Sequence, residues 1–177
     1  YSVQAESYDI RESPFSETSS TDSLQYYKKL AQSELKKYEN MSGTLRTFSK
    51  LFGDNLRRAT QYLNKVRKID PENIDGMFLD GILQRFEGKF RESEASFKQV
   101  ISKDDRVEGL DFPNVWLQLG TTYREMGEYD LAIDSYKQGA LINLSDTYPL
   151  IQLAMVFMDI GKDEESSEAF YGGLNDI

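Results

Sequence analysis

The sequence predicts an all-α fold, an α-solenoid of stacked helix–turn–helix units. Three observations predict it. Trp116, Leu119 and Tyr123 fall at i, i+3 and i+7, one face of a helix, and Gly127, Tyr129, Ala132 and Tyr136 follow at fixed offsets. The pattern returns 34 residues later as Leu150, Leu153, Ala154, Phe157, Gly161, Ser166 and Phe170, with size or polarity roughly kept at each place. Hydrophobic residues make up 39% and charged residues 29% of the chain, as a helical array requires. One such unit cannot bury its own apolar face, so neighbouring copies have to stack.

The elements follow in order. Residues 1–22 are acidic and rich in Ser and Thr, notably Glu12-Ser13-Pro14-Phe15-Ser16-Glu17-Thr18-Ser19-Ser20-Thr21. Such a stretch buries too little to offset chain entropy, so it is expected to be a flexible segment. Residues 23–39 carry Leu24, Tyr27, Leu30, Leu35 and Tyr38 as a helical stripe, with Asp22 or Ser23 as candidate caps. This helix either caps the array or runs on through Gly43 into 41–52. The array itself spans 40–177, with repeats at about 40–73, 74–107, 113–146 and 147–177. The first is degenerate: Ala59, Leu63 and Val66 give a convincing second helix at about 55–69, ended by Pro71, while Gly43, Arg46 and Thr47 weaken its first helix. The second is shifted by 39 residues instead of 34, with Met77, Gly81, Gly88, Phe90, Ser93 and Phe97 in register but Asp80 and Gln84 off pattern. The five extra residues fall in the polar, Gly-containing stretch 103–112.

The spacing W-x2-LG-x2-Y-x3-G-x-Y-x2-A-x3-Y across 116–136 resembles the tetratricopeptide repeat, a helix–turn–helix unit of 34 residues. The likeness is specific over 113–177, moderate over 74–107 and weak before that. It implies a right-handed stack whose first helices line a concave groove, and a role in protein–protein interaction. The groove-facing places in this family are the second, fifth, ninth and twelfth of each unit. Carried over, they are Asp75, Phe78, Ile82 and Arg85, then Asn114, Leu117, Thr121 and Arg124, then Tyr148, Ile151, Met155 and Met158. The expected peptide-binding groove is therefore apolar, adaptable at its two methionines, with Arg85 and Arg124 free to meet acidic or carbonyl groups of a ligand. Trp116, Leu119, Tyr123, Tyr136, Leu153, Phe157, Phe170, Phe97 and Leu63 are expected in the core. A one-residue change of register would turn several groove positions inward.

The carboxylate clamp of chaperone-binding members needs Lys, Asn and Arg where this chain has Thr44, Phe48, Leu79, Asn114 and Gln118. The clamp is absent in this register, so an acidic C-terminal tail is not the expected ligand of this net-negative chain. The expected ligand is an amphipathic helix or an extended apolar segment of a protein partner. Residues 1–20, with Tyr1, Val3, Tyr8, Ile10 and Phe15, are a candidate for docking in the same groove, within one molecule or between two. Ser13-Pro14 is a candidate phosphorylation site.

Other functions find little support. The chain has no Cys and no His, which removes thiol chemistry, the commonest acid–base residue and the commonest zinc ligands. No Walker A or dinucleotide-binding motif occurs. The acidic clusters Glu92/Glu94, Asp104/Asp105 and Asp163/Glu164/Glu165 read as surface charge, so no enzyme role, metal or cofactor is expected. A net charge of −9 disfavours nucleic acid, and Arg57-Arg58 and Lys65-Arg67-Lys68 read as solvated faces. No run of about 18 apolar residues occurs, so no membrane span is expected. The chain runs from Tyr1 to Ile177, inside an expected second helix, and so reads as a piece of a longer protein. An intracellular place, cytoplasmic or nuclear, is expected. Three roles stay open: a scaffold or adaptor, a chaperone-type module shielding an apolar client, and a regulatory domain of a larger enzyme.

Overall fold

The computed structural model describes residues 20–41, 54–103, 115–142 and 146–171. These form eight helices and no strand: α1 (Ser20–Glu39), α2 (Asp54–Ile69), α3 (Ile74–Phe86), α4 (Phe90–Lys103), α5 (Val115–Met126), α6 (Tyr129–Ile142), α7 (Tyr148–Asp159) and α8 (Asp163–Tyr171). Consecutive helices pair as α1/α2, α3/α4, α5/α6 and α7/α8, and each hairpin stacks on the next.

The glycines identified in the sequence have two separate tasks. Gly88, Gly127 and Gly161 each turn the chain at positive φ, between 72° and 77°. In each case the next residue's N–H closes on the carbonyl five back, Lys89 on Gln84, Glu128 on Tyr123 and Lys162 on Phe157, at 2.8–2.9 Å. This left-handed glycine cap satisfies carbonyls that the first helix leaves open, and a Cβ would strain it. Gly81 and Gly120 serve close approach instead. A Cβ on Gly81 would lie 2.6 Å from the Phe97 ring, and one on Gly120 would lie 2.7 Å from Tyr136. Phe97 and Tyr136 are fully buried as a result. Ser93 and Ser166 add a second tie, donating Oγ–H to the carbonyls of Gly81 (2.8 Å) and Ala154 (3.0 Å).

Most of the expected core lies in the core. Leu63, Leu119, Tyr123 and Leu153 are buried, while Trp116 and Phe157 pack half-buried against them. The ring of Phe170 lies outside the described side chains. Residues 42–52 of the expected helix at 41–52, and 104–112 of the inserted stretch at 103–112, also lie outside the described residues.

The front of the molecule is where the structure adds most. Ser20, Thr21 and Asp22 are the first turn of α1, not part of a flexible segment, and Asp22 and Ser23 lie inside the helix instead of capping it. Helix α1 packs lengthwise on α2 as its hairpin partner and also reaches α3. Polar residues stitch this pair together. Glu34 takes hydrogen bonds from Lys37 (2.7 Å), Asn55 (2.8 Å) and Arg58 (3.0 Å). Burial pushes the Glu34 carboxyl up, but the Lys37 and Arg58 cations outweigh it and hold it below its ordinary value. Lys28, buried on α1, pairs with Asp75 at the start of α3. Asp80, off pattern in the sequence, pairs with Arg67 on α2 through the guanidinium Nε at 2.8 Å. The departure from the repeat pattern is a bridge between hairpins.

Glu94 on α4 is a second charged hub. It accepts from Arg91 (2.9 Å), Lys98 (2.8 Å) and the Tyr123 hydroxyl on α5 (3.0 Å). Burial raises the carboxyl, but the three donors together bring it down to about 2. A carboxylate depressed in the folded state stabilises above its unfolded value and loses that contribution as pH falls through the folded one. Glu94 should therefore withdraw its support between pH 4.5 and about 2. Thermal unfolding followed by circular dichroism across that range should show a decline in wild type that Glu94→Gln reduces. Equal acid sensitivity in the two proteins would show that the hub contributes nothing.

Candidate functional site

The places expected to face a groove change character along the stack. At the fifth position, Phe78 is 0% exposed, Leu117 is 5% and Ile151 is 37%. Phe78 and Leu117 are therefore core residues, a correction to the apolar groove read from the sequence. The Phe78 ring packs on Phe97 at 5.7 Å between centroids, drawn in by the close α3/α4 contact that Gly81 permits. At the ninth position Ile82 and Thr121 are half-buried, and Thr121 donates its hydroxyl to the Leu117 carbonyl at 2.9 Å. Asn114 lies outside the described residues.

The two arginines expected to meet a ligand are already engaged. Arg85 on α3 is buried and donates to Gln118 (3.2 Å) and Glu125 (3.1 Å) on α5. Arg124 on α5 donates to Asp159 (2.7 Å) and, at 3.5 Å, to Gln152 on α7. Hydrogen bonding to Asp159 holds the Arg124 guanidinium above its already high ordinary value. Both contacts follow one rule: an Arg at the twelfth position of a repeat meets a Gln at the sixth and an acid at the thirteenth of the next. The signal was present in the sequence as Gln118/Glu125 and Gln152/Asp159, seven apart in each case. Reading each repeat by itself hid it. The arginines thus tie first helices together and do not line a cationic groove.

On α7 the ladder stops. Met158 stands where Arg85 and Arg124 stand earlier, and it is 64% exposed. With Tyr148 (53%), Ile151 (37%) and Met155 (39%) it makes a stripe at i, i+3, i+7 and i+10 along one side of the helix. Pro149 sits in the first turn, where its missing N–H costs nothing, and the Tyr148 N–H instead meets Asp146 Oδ1 at 3.0 Å. The opposite side of α7, with Leu153, Ala154 and Val156, is buried and fixes the stripe's outward orientation. The hairpin that carries it is acidic. Asp159, Glu164, Glu165 and Glu168 stand against Lys162, itself 3.6 Å from Glu165.

An apolar cleft opens elsewhere among the described helices. It measures about 340 Å³ and lies between α4 and the α5/α6 hairpin, walled by Ile101, Trp116, Leu119, Tyr123 and Leu131, with Lys98 at its edge. Sequence reasoning assigned Trp116, Leu119 and Tyr123 to the core and did not anticipate that Leu131 is exposed. Among the described residues no group of His, Cys, Asp or Glu is arranged to hold a metal ion, and no helix is long and apolar enough to cross a membrane.

Comparison with known proteins bears on the family. The tetratricopeptide repeat matches residues 113–146, the α5/α6 hairpin. A TPR repeat-containing protein of Methanocaldococcus jannaschii is 26% identical over 89 residues, 50% of this chain. The chain spans about a quarter of that curated relative's length, 25%. Among solved structures, MamA aligns with a TM-score of 0.56 at 17% identity, over 83% of this chain and 82% of that one. A thermophilic TPR protein of Thermus thermophilus aligns with a TM-score of 0.58 at 19% identity, over 76% and 64%. These structures share the right-handed α-solenoid. The chain thus carries a tetratricopeptide repeat at residues 113–146, within an all-α array of stacked hairpins.

Proposed function

We propose that this chain is a scaffold or adaptor module that holds a segment of a protein partner on the outward face of α7. One observation carries the reading: four large apolar side chains, Tyr148, Ile151, Met155 and Met158, stand exposed in line on a helix whose other face is packed. Exposed apolar surface of this kind marks interaction sites. Each anchor that a partner covers would contribute at most roughly 1.5–3 kcal/mol before ordering costs, less for the half already packed. The reading gives the chain no catalytic part.

Ile151→Glu tests it. The side chain is exposed enough to take a charge, so the melting temperature should move by no more than about 2 °C. Capture from the source cell with wild type and variant, followed by mass spectrometry, should recover a partner with wild type that the variant loses. Partners retained equally by both would remove α7 as the binding face. A large loss of stability would show that Ile151 belongs to the core. The capture also separates the roles: an adaptor gives a stable complex, a chaperone-type module gives a client that aggregates without it, and a regulatory domain gives a catalytic neighbour.

A further inference from the structure

We infer that the front hairpin, α1/α2, is a second docking surface and that it takes an acidic segment of another protein. The first ground is how charge is distributed along the chain. Residues 20–69 hold eleven Lys and Arg against four Asp and Glu, whereas residues 70–177 hold nine against 22. A chain of net charge −9 thus carries a basic front on an acidic body. Such a field draws anions to that one end.

The second ground is which cations stay unspent. Lys28 is taken by Asp75, Arg67 by Asp80, and Lys37 and Arg58 by the buried Glu34. Arg57 holds Asp54. Lys29, Lys36 and Lys68 are exposed and make no ion pair among the described residues. Lys65 meets the Tyr27 hydroxyl at 3.4 Å and its ring at 4.9 Å, and no carboxylate. Lys29 and Lys36 lie opposite Ala31, Leu35 and Tyr38 on the packed side of α1, two turns and about 10 Å apart. Lys68 lies opposite Ala59, Leu63 and Val66 on the packed side of α2. Because Lys65 reaches Tyr27, the last turns of α2 run beside the first half of α1, which brings Lys68 to the same end of the hairpin as Lys29.

The acidic body decides which anion fits. A nucleic acid or an anionic membrane extends past one hairpin and would meet the carboxylates of the later repeats. A short acidic segment stays on the hairpin. On an extended chain, carboxylates three residues apart match the spacing of Lys29 and Lys36, about 10 Å. Residues 1–19, with Glu6, Asp9, Glu12 and Glu17 against Arg11, are the chain's own competitor for this surface. The inference does not depend on α7: an adaptor joins two partners, and the two surfaces differ in chemistry.

The test uses the full chain and a labelled peptide of about 12 residues with Glu at every third place, long enough when extended to run along α1, read by fluorescence anisotropy. Expected are binding of this peptide, at least tenfold weaker binding of its Gln counterpart, and at least tenfold weakening between about 0.05 and about 0.5 M salt. The triple variant Lys29→Glu/Lys36→Glu/Lys68→Glu should lose at least tenfold, and the triple Lys→Gln variant, which adds no repulsion, should lose in the same direction if charge reversal disturbs the fold. Ile151→Glu should bind the Glu peptide as wild type does. No binding of the Glu peptide, or binding that both triple variants keep, would overturn the inference. Loss in Ile151→Glu would place the peptide on α7 and overturn it too, with the α7 reading left standing. Tighter binding of an oligodeoxynucleotide of equal charge, or of phosphatidylserine vesicles, would give the face to a nucleic acid or a membrane. If Glu6→Gln, Asp9→Asn, Glu12→Gln and Glu17→Gln together raised the affinity at least tenfold, the surface would belong to residues 1–19 instead of a partner.

Discussion

Tyr136→Ala is expected to destabilise the protein by about 3–5 kcal/mol, the range for truncating a fully buried aromatic side chain. The ring is completely shielded from solvent and lies over Gly120, whose missing Cβ is what lets α5 and α6 approach. Truncation would open a void where the two helices of the hairpin are closest. The neighbours cannot collapse into it without moving a backbone. The hydroxyl contributes separately, through its contact with Thr121 Oγ1 at 3.2 Å. Tyr136→Phe should therefore cost only about 0.5–1.5 kcal/mol. Urea unfolding of the three proteins, with the slope compared as well as the midpoint, checks both numbers. A loss below about 2 kcal/mol for Tyr136→Ala, short of the range for buried aromatics, would mean that the α5/α6 hairpin repacks freely and that Gly120 is not a fixed contact.

The α5/α6 hairpin was also the most legible part of the fold. Each residue in its pattern answers a local requirement: Gly127 a positive φ, Gly120 a close crossing, and Tyr136 the ring that fills it. Fixed offsets carry such requirements from one repeat to the next, which is why Gly81, Gly88 and Gly161 were found in their places. The front of the array was harder because its offset is broken. Helix α1 pairs with α2 across residues 40–53, and no spacing rule links Tyr27 or Tyr38 to Ala59 and Leu63. The residues that join these helices and α3, Lys28, Glu34 and Asp75, are charged and resemble surface residues when read in isolation. The exposed stripe on α7 was legible in part. Counting from the repeat start placed Tyr148, Ile151, Met155 and Met158 in a solvent-facing groove, and all four are exposed. The same count placed Phe78 and Leu117 there, and both are buried. Helical position says which way a side chain points, but whether it meets solvent depends on neighbouring helices, which a within-repeat count does not contain.

The Arg rungs permit a sharper comparison, because the two differ in burial while sharing chemistry. Arg85→Ala should cost about 2–4 kcal/mol. Its guanidinium stacks near the Phe86 ring at 4.6 Å, and its loss would leave the buried Gln118 oxygen without that donor as well as a void. Arg124→Ala should cost about 1 kcal/mol or less, since the Arg124 and Asp159 side chains are 23% and 36% exposed and water can replace each for the other. Arg85→Met separates packing from charge. It keeps an apolar stem of similar length, and Glu125, 40% exposed, can turn to solvent, but Gln118 still loses its donor, so a loss of about 1–3 kcal/mol, smaller than that of Arg85→Ala, is expected. The chain itself places a Met at the corresponding site, Met158, where no rung is made. Unfolding midpoints in the order wild type, Arg85→Met, Arg85→Ala would assign the inner rungs to filling and satisfying a buried seam. If Arg85→Met lost as much as Arg85→Ala, the guanidinium's polar contacts to Gln118 and Glu125, and not its packing, would hold α3 to α5.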